Sequence, residues 1–395
     1  MNKKEYRAAI DHVIYLASCS IKEVAPDPER ISSMNIEHVY EAAGLHMLAA
    51  VVGMALESAG FRDPRFRKAV AEAQRRTLLM NRDRALLLAG LERGGIWYMP
   101  LKGVVLQDLY PQFGMREMAD NDILIDPDRA EDVRRIMVSL GFSVGRFDRG
   151  IHDTYYKPPV SNFEIHRRLF SKTRYEKIYS YYEPVKDRLL KDSGNLYGYH
   201  FSPEDFYLYL VMHEYKHFSH DGTGLRSLLD LYVYLRKNRL DLDSVHREAA
   251  KMDLAGFEQE NRELAQRLFE QQPLTPDQET LLDRFLSDGA YGNTLSWINR
   301  TVSREGKAAF FFSRLFLPLE TMQNAFPLLR KAPALYPLFW IYRMGRGLTL
   351  GRKKAWTELK ASLGIAPVAP EVPSKTGSRY QSGGRTKNQS RNGKS

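Results

Sequence analysis

The spacing of apolar residues changes between residues 96 and 170, and this change constrains the fold more than any other feature. On either side of this segment apolar residues recur every three or four positions, which is typical of helices. Within it, VVLQDLYPQFG (104–114) and PDRAEDVRRIMVSLGF (127–142) predict helices, and alternating or continuous apolar runs predict short strands. The strand candidates are IWYMPLKG (96–103), DNDILID (120–126), SVGRFD (143–148), HDTYYK (152–157) and NFEIHRRL (162–169). Strands and helices mixed at this density indicate a small α+β unit.

Helical patterns flank this unit on both sides. Before it they cover residues 4–19, 36–59 and 64–93, and the third ends at the helix-stopping pair Gly94-Gly95. After it the pattern is mostly helical as far as residue 364. We therefore expect an α+β fold in four parts, with a small sheet core between helical subdomains. The parts are an N-terminal helical subdomain (1–95), the sheet core (96–170), a C-terminal helical subdomain (171–364) and a basic tail (365–395).

Composition narrows the class of protein. Apolar residues make up 43% of the chain and charged residues 27%, which is ordinary for a soluble globular protein. The single cysteine, Cys19, excludes an intramolecular disulfide and a cysteine-rich zinc site. No apolar run is long enough to predict a membrane span, and we expect a cytoplasmic protein. The apolar runs at 308–319 and 334–342 are interpreted as buried helices.

About half of the net charge of +10 lies in the tail. Residues 369–395 contain six Lys or Arg and a single acid, Glu371, and they are rich in Ser, Gly, Asn and Gln. This composition predicts a disordered tail that contacts polyanions weakly. The rest of the chain is only mildly basic and carries no strong nucleic-acid-binding signature.

Asp120 and Asp122 stand two residues apart in a strand-like run. Side chains two apart in a strand share a face, about 7 Å from each other, where like charges repel. A divalent cation would compensate this cost, and Glu164 would add a third carboxylate if its strand is a neighbour. Three hard oxygen donors suit Mg²⁺ or Mn²⁺ better than Zn²⁺.

Basic and glycine residues upstream fit phosphate chemistry. Lys102-Gly103 lies where a strand is predicted to turn into a helix, and backbone N–H groups at such a turn can meet a phosphate. Arg116, four residues before the first aspartate, could neutralise a triphosphate. From the residues alone we infer a two-metal site for phosphoryl or nucleotidyl transfer.

The stretch LKGVVLQDLYPQFGMREMADNDILI (101–125), with NFEIHRRL downstream, resembles the bacterial nucleotidyltransferase family of the DNA polymerase β superfamily. The resemblance implies a polymerase-β-like core and transfer of a nucleoside monophosphate from an NTP to an acceptor hydroxyl, with release of pyrophosphate. It implies that Asp120, Asp122 and Glu164 bind the metals and carry the catalysis. It implies that Lys102, Gly103 and Arg116 bind the triphosphate of the nucleotide. His166, on the same strand face as Glu164, is a further candidate for contact with phosphate. The sequence departs from the wider superfamily at the turn, where Lys102-Gly103 replaces a Gly-Ser pair.

Several alternatives stay open at this point. The acceptor is a small molecule, a protein or an RNA end. A catalytically weak binding or regulatory protein of the same fold (a toxin–antitoxin component or biosynthetic accessory factor) and a kinase-like phosphoryl transferase are the other functional classes. His166 contacts phosphate or acceptor, or supports the site from behind.

Two further patterns lie in the C-terminal helical part. His213-Glu214-x-x-His217 matches the HExxH string of metalloproteases, but no third ligand is marked, so a helix beside the nucleotide cleft or ordinary packing is favoured. Arg226 and Asp230 are predicted to form an intrahelical ion pair.

Overall fold

Five helices precede the first strand in the computed structural model, which describes residues 1–219, 222–289 and 306–349. A capping box of Asn2 and Glu5 starts the first of them, and Asp63 caps the fifth, whose predicted bounds are confirmed. The helices are α1 (Lys3–Lys22), α2 (Pro28–Ser32), α3 (Ile36–Leu45), α4 (Ala49–Ser58) and α5 (Pro64–Arg93).

The single helix predicted over 36–59 is wrong, because the chain breaks between α3 and α4. Met47 has a φ of 55°, which ends a right-handed helix. The His46 ring beside it is buried: its Nε2 lies 2.7 Å from the Tyr6 hydroxyl, and its Nδ1 accepts from the backbone N–H of Leu225 at 3.2 Å. The break thus places a polar ring between three parts of the chain, which helical periodicity cannot reveal.

A five-stranded mixed sheet forms the centre of the strand-rich segment. Its order is β1-β2-β5-β4-β3, with β2 and β5 parallel and the other neighbours antiparallel. The strand at 96–103 is shorter than predicted, and the helix predicted at 104–114 is one short turn followed by a 3₁₀ turn. The elements are β1 (Tyr98–Pro100), α6 (Gly103–Leu106), β2 (Asn121–Ile125), α7 (Ala130–Ser139), β3 (Ser143–Val144), β4 (His152–Lys157) and β5 (Ser161–His166).

The two faces of this sheet have different chemistry. One face packs on α5 and α7 through buried apolar side chains, among them Leu91, Ile123, Met137 and Ile165. The other carries Asp122, Glu164 and His166, which the strand alternation places on one side. The sheet therefore has a dry side that holds it in place and a polar side that is available for chemistry.

The chain continues mostly as helices after the sheet. α8 (Glu176–Tyr182) is followed by a small two-stranded sheet of β6 (Leu190–Lys191) and β7 (Tyr199–His200). The remaining helices in the described residues are α9 (Pro203–Ser219), α10 (Leu225–Lys237), α11 (Leu242–Ala250), α12 (Ala255–Phe269), α13 (Pro276–Asp288), α14 (Lys307–Leu315), α15 (Leu319–Ala325), α16 (Leu328–Lys331) and α17 (Tyr336–Thr349). Residues of α9–α13 share one apolar cluster with residues of α1, α3 and α4. The predicted α+β class, a small sheet flanked by helices, is confirmed, and the four-part division stays a prediction.

Residues 308–319 and 334–342 are helical over much of their length, as predicted, but the interpretation that these helices are buried is wrong. Phe312 on α14 is 57% exposed, and Leu338 and Ile341 on α17 are 64% and 62% exposed. Apolar content predicts burial only where another element covers the helix, and these side chains face outward instead. Among the described residues no helix is both long and apolar enough to cross a membrane. The tail at 365–395 lies outside the described residues.

Candidate active site

Three carboxylates converge where β2 begins and β5 passes beside it. The parallel register of the two strands places Asp122 directly opposite Glu164. Asp120 immediately precedes β2, two residues before Asp122. One carboxylate oxygen from each of Asp120, Asp122 and Glu164 lies within 4.8 Å of those of the other two. The condition attached to Glu164, that its strand is a neighbour of the aspartate strand, is therefore met.

The segment that leads into β2 is held from both sides. Arg76 on α5 donates from Nε to the carbonyl of Met118 and from Nη2 to the carbonyl of Ala119, both at 2.6 Å. Arg226 on α10 donates to the carbonyl of Glu117 at 3.2 Å. Because backbone and not side-chain groups are held, these contacts fix the path of the chain just before the first aspartate.

Asn121, between the two aspartates, points away from them and is fully buried. Its side-chain oxygen accepts from Arg84 Nη1 at 3.1 Å, and its amide nitrogen donates to the carbonyl of Met80 at 3.3 Å. Both partners belong to α5. Asn121 therefore anchors β2 to the longest described helix while its neighbours face the site.

Asp122 is buried between two nitrogen groups. Lys102 Nζ and His166 Nε2 each lie 2.7 Å from its Oδ1. Burial alone would raise the pKa of Asp122, but Lys102 and His166 together outweigh burial and hold it below its usual range. Asp122 is therefore ionised at neutral pH. His166, predicted to touch phosphate or to support the site, contacts this carboxylate, and its cofactor role stays a prediction.

The pKa values of Asp120 and Glu164 are shifted in the opposite direction, upward. Burial, with repulsion from Asp122, raises the pKa of Asp120 to about 6. Burial and the charges of Asp122 and Asp120 raise the pKa of Glu164 to about 7. Protons on these two groups relieve the crowding of three like charges. A divalent cation would compete with those protons for the same oxygens.

Lys102 occupies the tight connection between β1 and α6. Its φ of 47° and ψ of −120° are unusual for a residue with a side chain. The backbone N–H groups of Val104 and Val105 donate to the carbonyls of Leu101 and Lys102 at 3.1 and 3.0 Å. The Lys102 side chain, and not these two amides, therefore meets the carboxylates.

Arg116 is buried and held by protein atoms. Its Nε donates to Oδ1 of Asp230 at 2.7 Å and its Nη2 to Oδ2 at 2.8 Å, while Nη1 lies 3.3 Å from Met118 Sδ. A Cβ atom at Gly103 would stand 2.3 Å from Arg116 Nη1, so glycine makes room for the guanidinium. The nucleotide-binding roles of Arg116 and Gly103 stay predictions, and the contacts seen here are structural.

The intrahelical pair predicted for Arg226 and Asp230 is wrong. Asp230 instead receives Arg116, together with the hydroxyl of Tyr110 at 2.7 Å. Arg226 turns to the segment before β2. A partner distant in sequence prevailed because the guanidinium of Arg116 can engage both carboxylate oxygens at once.

Helix α9 runs beside the carboxylates. The pKa of Tyr209 is raised, first by burial, and the charges of Lys102 and Asp122 also act on it. His213 and His217, one turn apart, have their Nε2 atoms 3.1 Å from each other. Burial lowers the pKa of both rings, to about 3 for His217, and Lys102 adds to this effect. The charges of the site therefore act on Tyr209, His213 and His217 of this helix.

The metalloprotease pattern gains no third ligand in the part of the chain that the structure describes. Two groups of three metal-ligating side chains occur there, and neither includes His213 or His217. Glu214, which would be the catalytic base, is buried, and burial raises its pKa to about 8.

His152 is a site residue that sequence reasoning missed. It lies on β4 opposite His166, and its Nε2 is 3.6 Å from Oε2 of Glu164. Burial lowers its pKa to about 2, with further contributions from His166 and Arg146, so the ring is neutral. The signal that could have found it is the alternation of HDTYYK beside NFEIH, which puts one histidine of each strand on the same face.

A small mixed sheet with acidic side chains on two parallel neighbours, enclosed by helices, is the arrangement expected of a nucleotidyltransferase. A family model described as "uncharacterised nucleotidyltransferase" matches residues 32–270, more than half of the chain. The chain belongs to this nucleotidyltransferase family. Among curated proteins and solved structures, the comparisons found no significant match.

Proposed function

We propose that this protein is a metal-dependent nucleotidyltransferase that moves a nucleoside monophosphate from an NTP to an acceptor hydroxyl and releases pyrophosphate. The observation that carries the proposal is the convergence of Asp120, Asp122 and Glu164, whose oxygens lie within 4.8 Å of one another across two strands. Membership of a nucleotidyltransferase family supports the same reaction class.

The donor set fits Mg²⁺ or Mn²⁺. All three groups are carboxylates, and no thiolate is near, since the single cysteine is buried on α1. The raised pKa values of Asp120 and Glu164 indicate that the nearby positive charges do not fully offset the negative charge of the three carboxylates. When bound, the ions would neutralise the triphosphate and lower the pKa of the acceptor hydroxyl.

Asp122 would hold both ions, a role supported by its position two residues after Asp120 and opposite Glu164 on the neighbouring strand. Glu164, opposite Asp122 on the neighbouring strand, would complete the metal site and help activate the acceptor hydroxyl. The acceptor oxygen forms a bond to the α-phosphorus as the bond to the bridging oxygen breaks. Pyrophosphate then leaves with the electron pair of that bond.

Lys102 is proposed to change partners during this cycle. Its ammonium group lies 2.7 Å from Asp122 Oδ1. There it offsets the negative charge of Asp122 when no metal is bound. With Asp122 engaged by a bound ion, Lys102 would be free to contact the phosphate oxygens of the NTP. The strained backbone of Lys102 supports a functional role, because strain of this kind is kept where a side chain must be aimed.

The test uses the purified full chain with Mg²⁺, a cell extract as the source of acceptor, and each NTP labelled in turn at the α or the γ phosphate. Label from the α position on an acceptor, with pyrophosphate released, supports the proposal, and nuclease, protease and solvent treatment of the product identify the acceptor class. Label from the γ position alone would instead show a kinase. No transfer of either label, with no metal-dependent nucleotide binding, would favour a regulatory protein of the same fold.

A further inference from the structure

Two histidines flank Glu164 on the polar face of the sheet. His152 on β4 lies directly opposite His166 on β5, with ring centroids 5.0 Å apart. Nε2 of His152 is 3.6 Å and Nε2 of His166 is 3.8 Å from the same Glu164 oxygen, Oε2. One ligand atom from each of the three residues lies within 4.8 Å of those of the other two.

We propose that His152, Glu164 and His166 form a second kind of cation site, which binds a divalent ion that prefers imidazole nitrogen, such as Zn²⁺ or Co²⁺. It shares Glu164 with the group of three carboxylates but differs from that group in its donor atoms. The proposal does not rest on nucleotidyl transfer, because it concerns metal binding by the protein without nucleotide.

The distances are close to those of a coordinated ion. Two ligands that each lie about 2.1 Å from one ion are roughly 3.0 to 3.5 Å apart in octahedral or tetrahedral geometry. The measured separations from Glu164 Oε2, 3.6 and 3.8 Å, exceed that range by a few tenths of an ångström. Small rotations about the side-chain torsions of Glu164 are enough to close this difference, since Glu164 is only partly buried.

The donor set selects a different ion from the neighbouring group. Two imidazoles and one carboxylate favour Zn²⁺, Co²⁺ or Cu²⁺, whereas three carboxylates favour Mg²⁺ or Mn²⁺. Both histidines lie on adjacent antiparallel strands, whose pairing places them opposite each other. The site would therefore be largely formed before an ion arrives.

Both rings have other polar contacts that an ion must replace. His166 Nε2 lies 2.7 Å from Asp122 Oδ1, and Arg146 contacts His152 Nε2. The Arg146 residue is exposed and can turn into solvent. The Nδ1 atom of each histidine is buried without a hydrogen-bond partner within the described part of the chain, so neither ring is fixed from behind.

The experiment is a Co²⁺ titration of the full chain freed of other metals, so that no Mg²⁺ occupies the shared Glu164. The visible d–d absorption bands of bound Co²⁺ report nitrogen ligation, and calorimetry gives the dissociation constant. Neither readout requires enzyme turnover. His152→Gln and His166→Gln are compared with His246→Gln, a matched change at an exposed histidine of α11. Asp120→Asn alters only the three-carboxylate group, and thermal unfolding checks that each variant is folded.

We expect one Co²⁺ bound per chain with nitrogen-type bands, at least tenfold weaker binding in His152→Gln, and wild-type binding in His246→Gln and Asp120→Asn. Wild-type affinity in both His152→Gln and His166→Gln would overturn the proposal. So would loss of the bands in Asp120→Asn with their retention in His152→Gln, or no Co²⁺ binding by the wild-type chain. Because Asp120→Asn should abolish nucleotidyl transfer and His152→Gln should weaken Co²⁺ binding, the two proposals fail separately.

Discussion

Asp122 and Glu164 face each other on adjacent parallel strands, although 41 residues separate them in the chain. Because the register of a parallel pair is set by backbone hydrogen bonds, the distance between the two carboxylates does not depend on flexible loops. Repulsion between them is a fixed cost of the fold, which a bound cation would offset. This relationship leads to predictions that separate stability from activity.

Asp120→Asn should stabilise the metal-free protein at pH 8. The pKa of Asp120 is raised to about 6 in the folded chain, so the folded state holds its proton more tightly than the unfolded chain does. Stability due to this group therefore falls as pH rises from about 4 to about 6 and stays reduced above that. With solvent screening the neutral side chain should regain roughly 1–3 kcal/mol, measured by chemical unfolding in EDTA. Stabilisation by Mg²⁺ should be lost in the same variant, and a variant less stable than wild type in EDTA would contradict the argument.

Metal binding should weaken as pH falls. Glu164, with a pKa of about 7, and Asp120, with a pKa of about 6, must both lose protons before an ion binds them. We expect the dissociation constant for Mn²⁺ to rise roughly tenfold per unit between pH 7 and 6 and more steeply below, where two protons compete. Calorimetry in two buffers of different ionisation enthalpy would count the protons released. A constant affinity from pH 8 to 5.5 would show that these carboxylates are not the ligands.

Arg116→Ala should mainly destabilise the protein. Its guanidinium is buried, and its Nε and Nη2 bind the two carboxylate oxygens of Asp230. Removing it leaves that buried carboxylate with the Tyr110 hydroxyl as its remaining hydrogen-bond partner among the described residues. The expected loss is about 3–5 kcal/mol in chemical unfolding. A double-mutant cycle with Asp230→Asn should show strong coupling. Unchanged stability with a tenfold higher KM for the NTP would contradict this and restore the predicted phosphate role.

Gly103→Ala tests the same contact from the other side. An added Cβ would meet Arg116 Nη1 at 2.3 Å, and the guanidinium cannot move freely because Asp230 holds it. We expect a loss of roughly 1–3 kcal/mol, typical of overpacking. Gly256→Ala is the matched control, because a Cβ at that helical glycine meets no atom within 4 Å. Equal stability of the two variants would show that Arg116 is not fixed as described.

Much of the site could be predicted because it depends on local rules. Strand alternation places Asp120 and Asp122 on one face, and it also puts Glu164 and His166 together. What sequence could not supply is the partner of each strand. Nothing local says that β5 lies parallel to β2 with Asp122 opposite Glu164, and the prediction for Glu164 was conditional for that reason.

The residues that were placed wrongly depend on distant contacts. Asp230 is paired with Arg116, 114 positions away, and not with Arg226 one turn away, because the Arg116 guanidinium engages both oxygens of the buried carboxylate. The helix break at Met47 follows from the burial of His46 against Tyr6. Such contacts require the tertiary structure, whereas the bounds of α5 followed from its own proline and glycine residues.

The most direct measurement is transfer of α-phosphate label in Mg²⁺ by three proteins: wild type, Asp122→Asn and Asp128→Asn. Asp128 is an exposed aspartate six residues further along and serves as the matched control. We predict that wild type and Asp128→Asn transfer label at similar rates, and that Asp122→Asn is slower by a factor of about 10³ or more, as expected for loss of an electrostatic contact in the transition state. Transfer at the wild-type rate by a folded Asp122→Asn protein would contradict the central claim that the carboxylates of β2 and β5 form the active site.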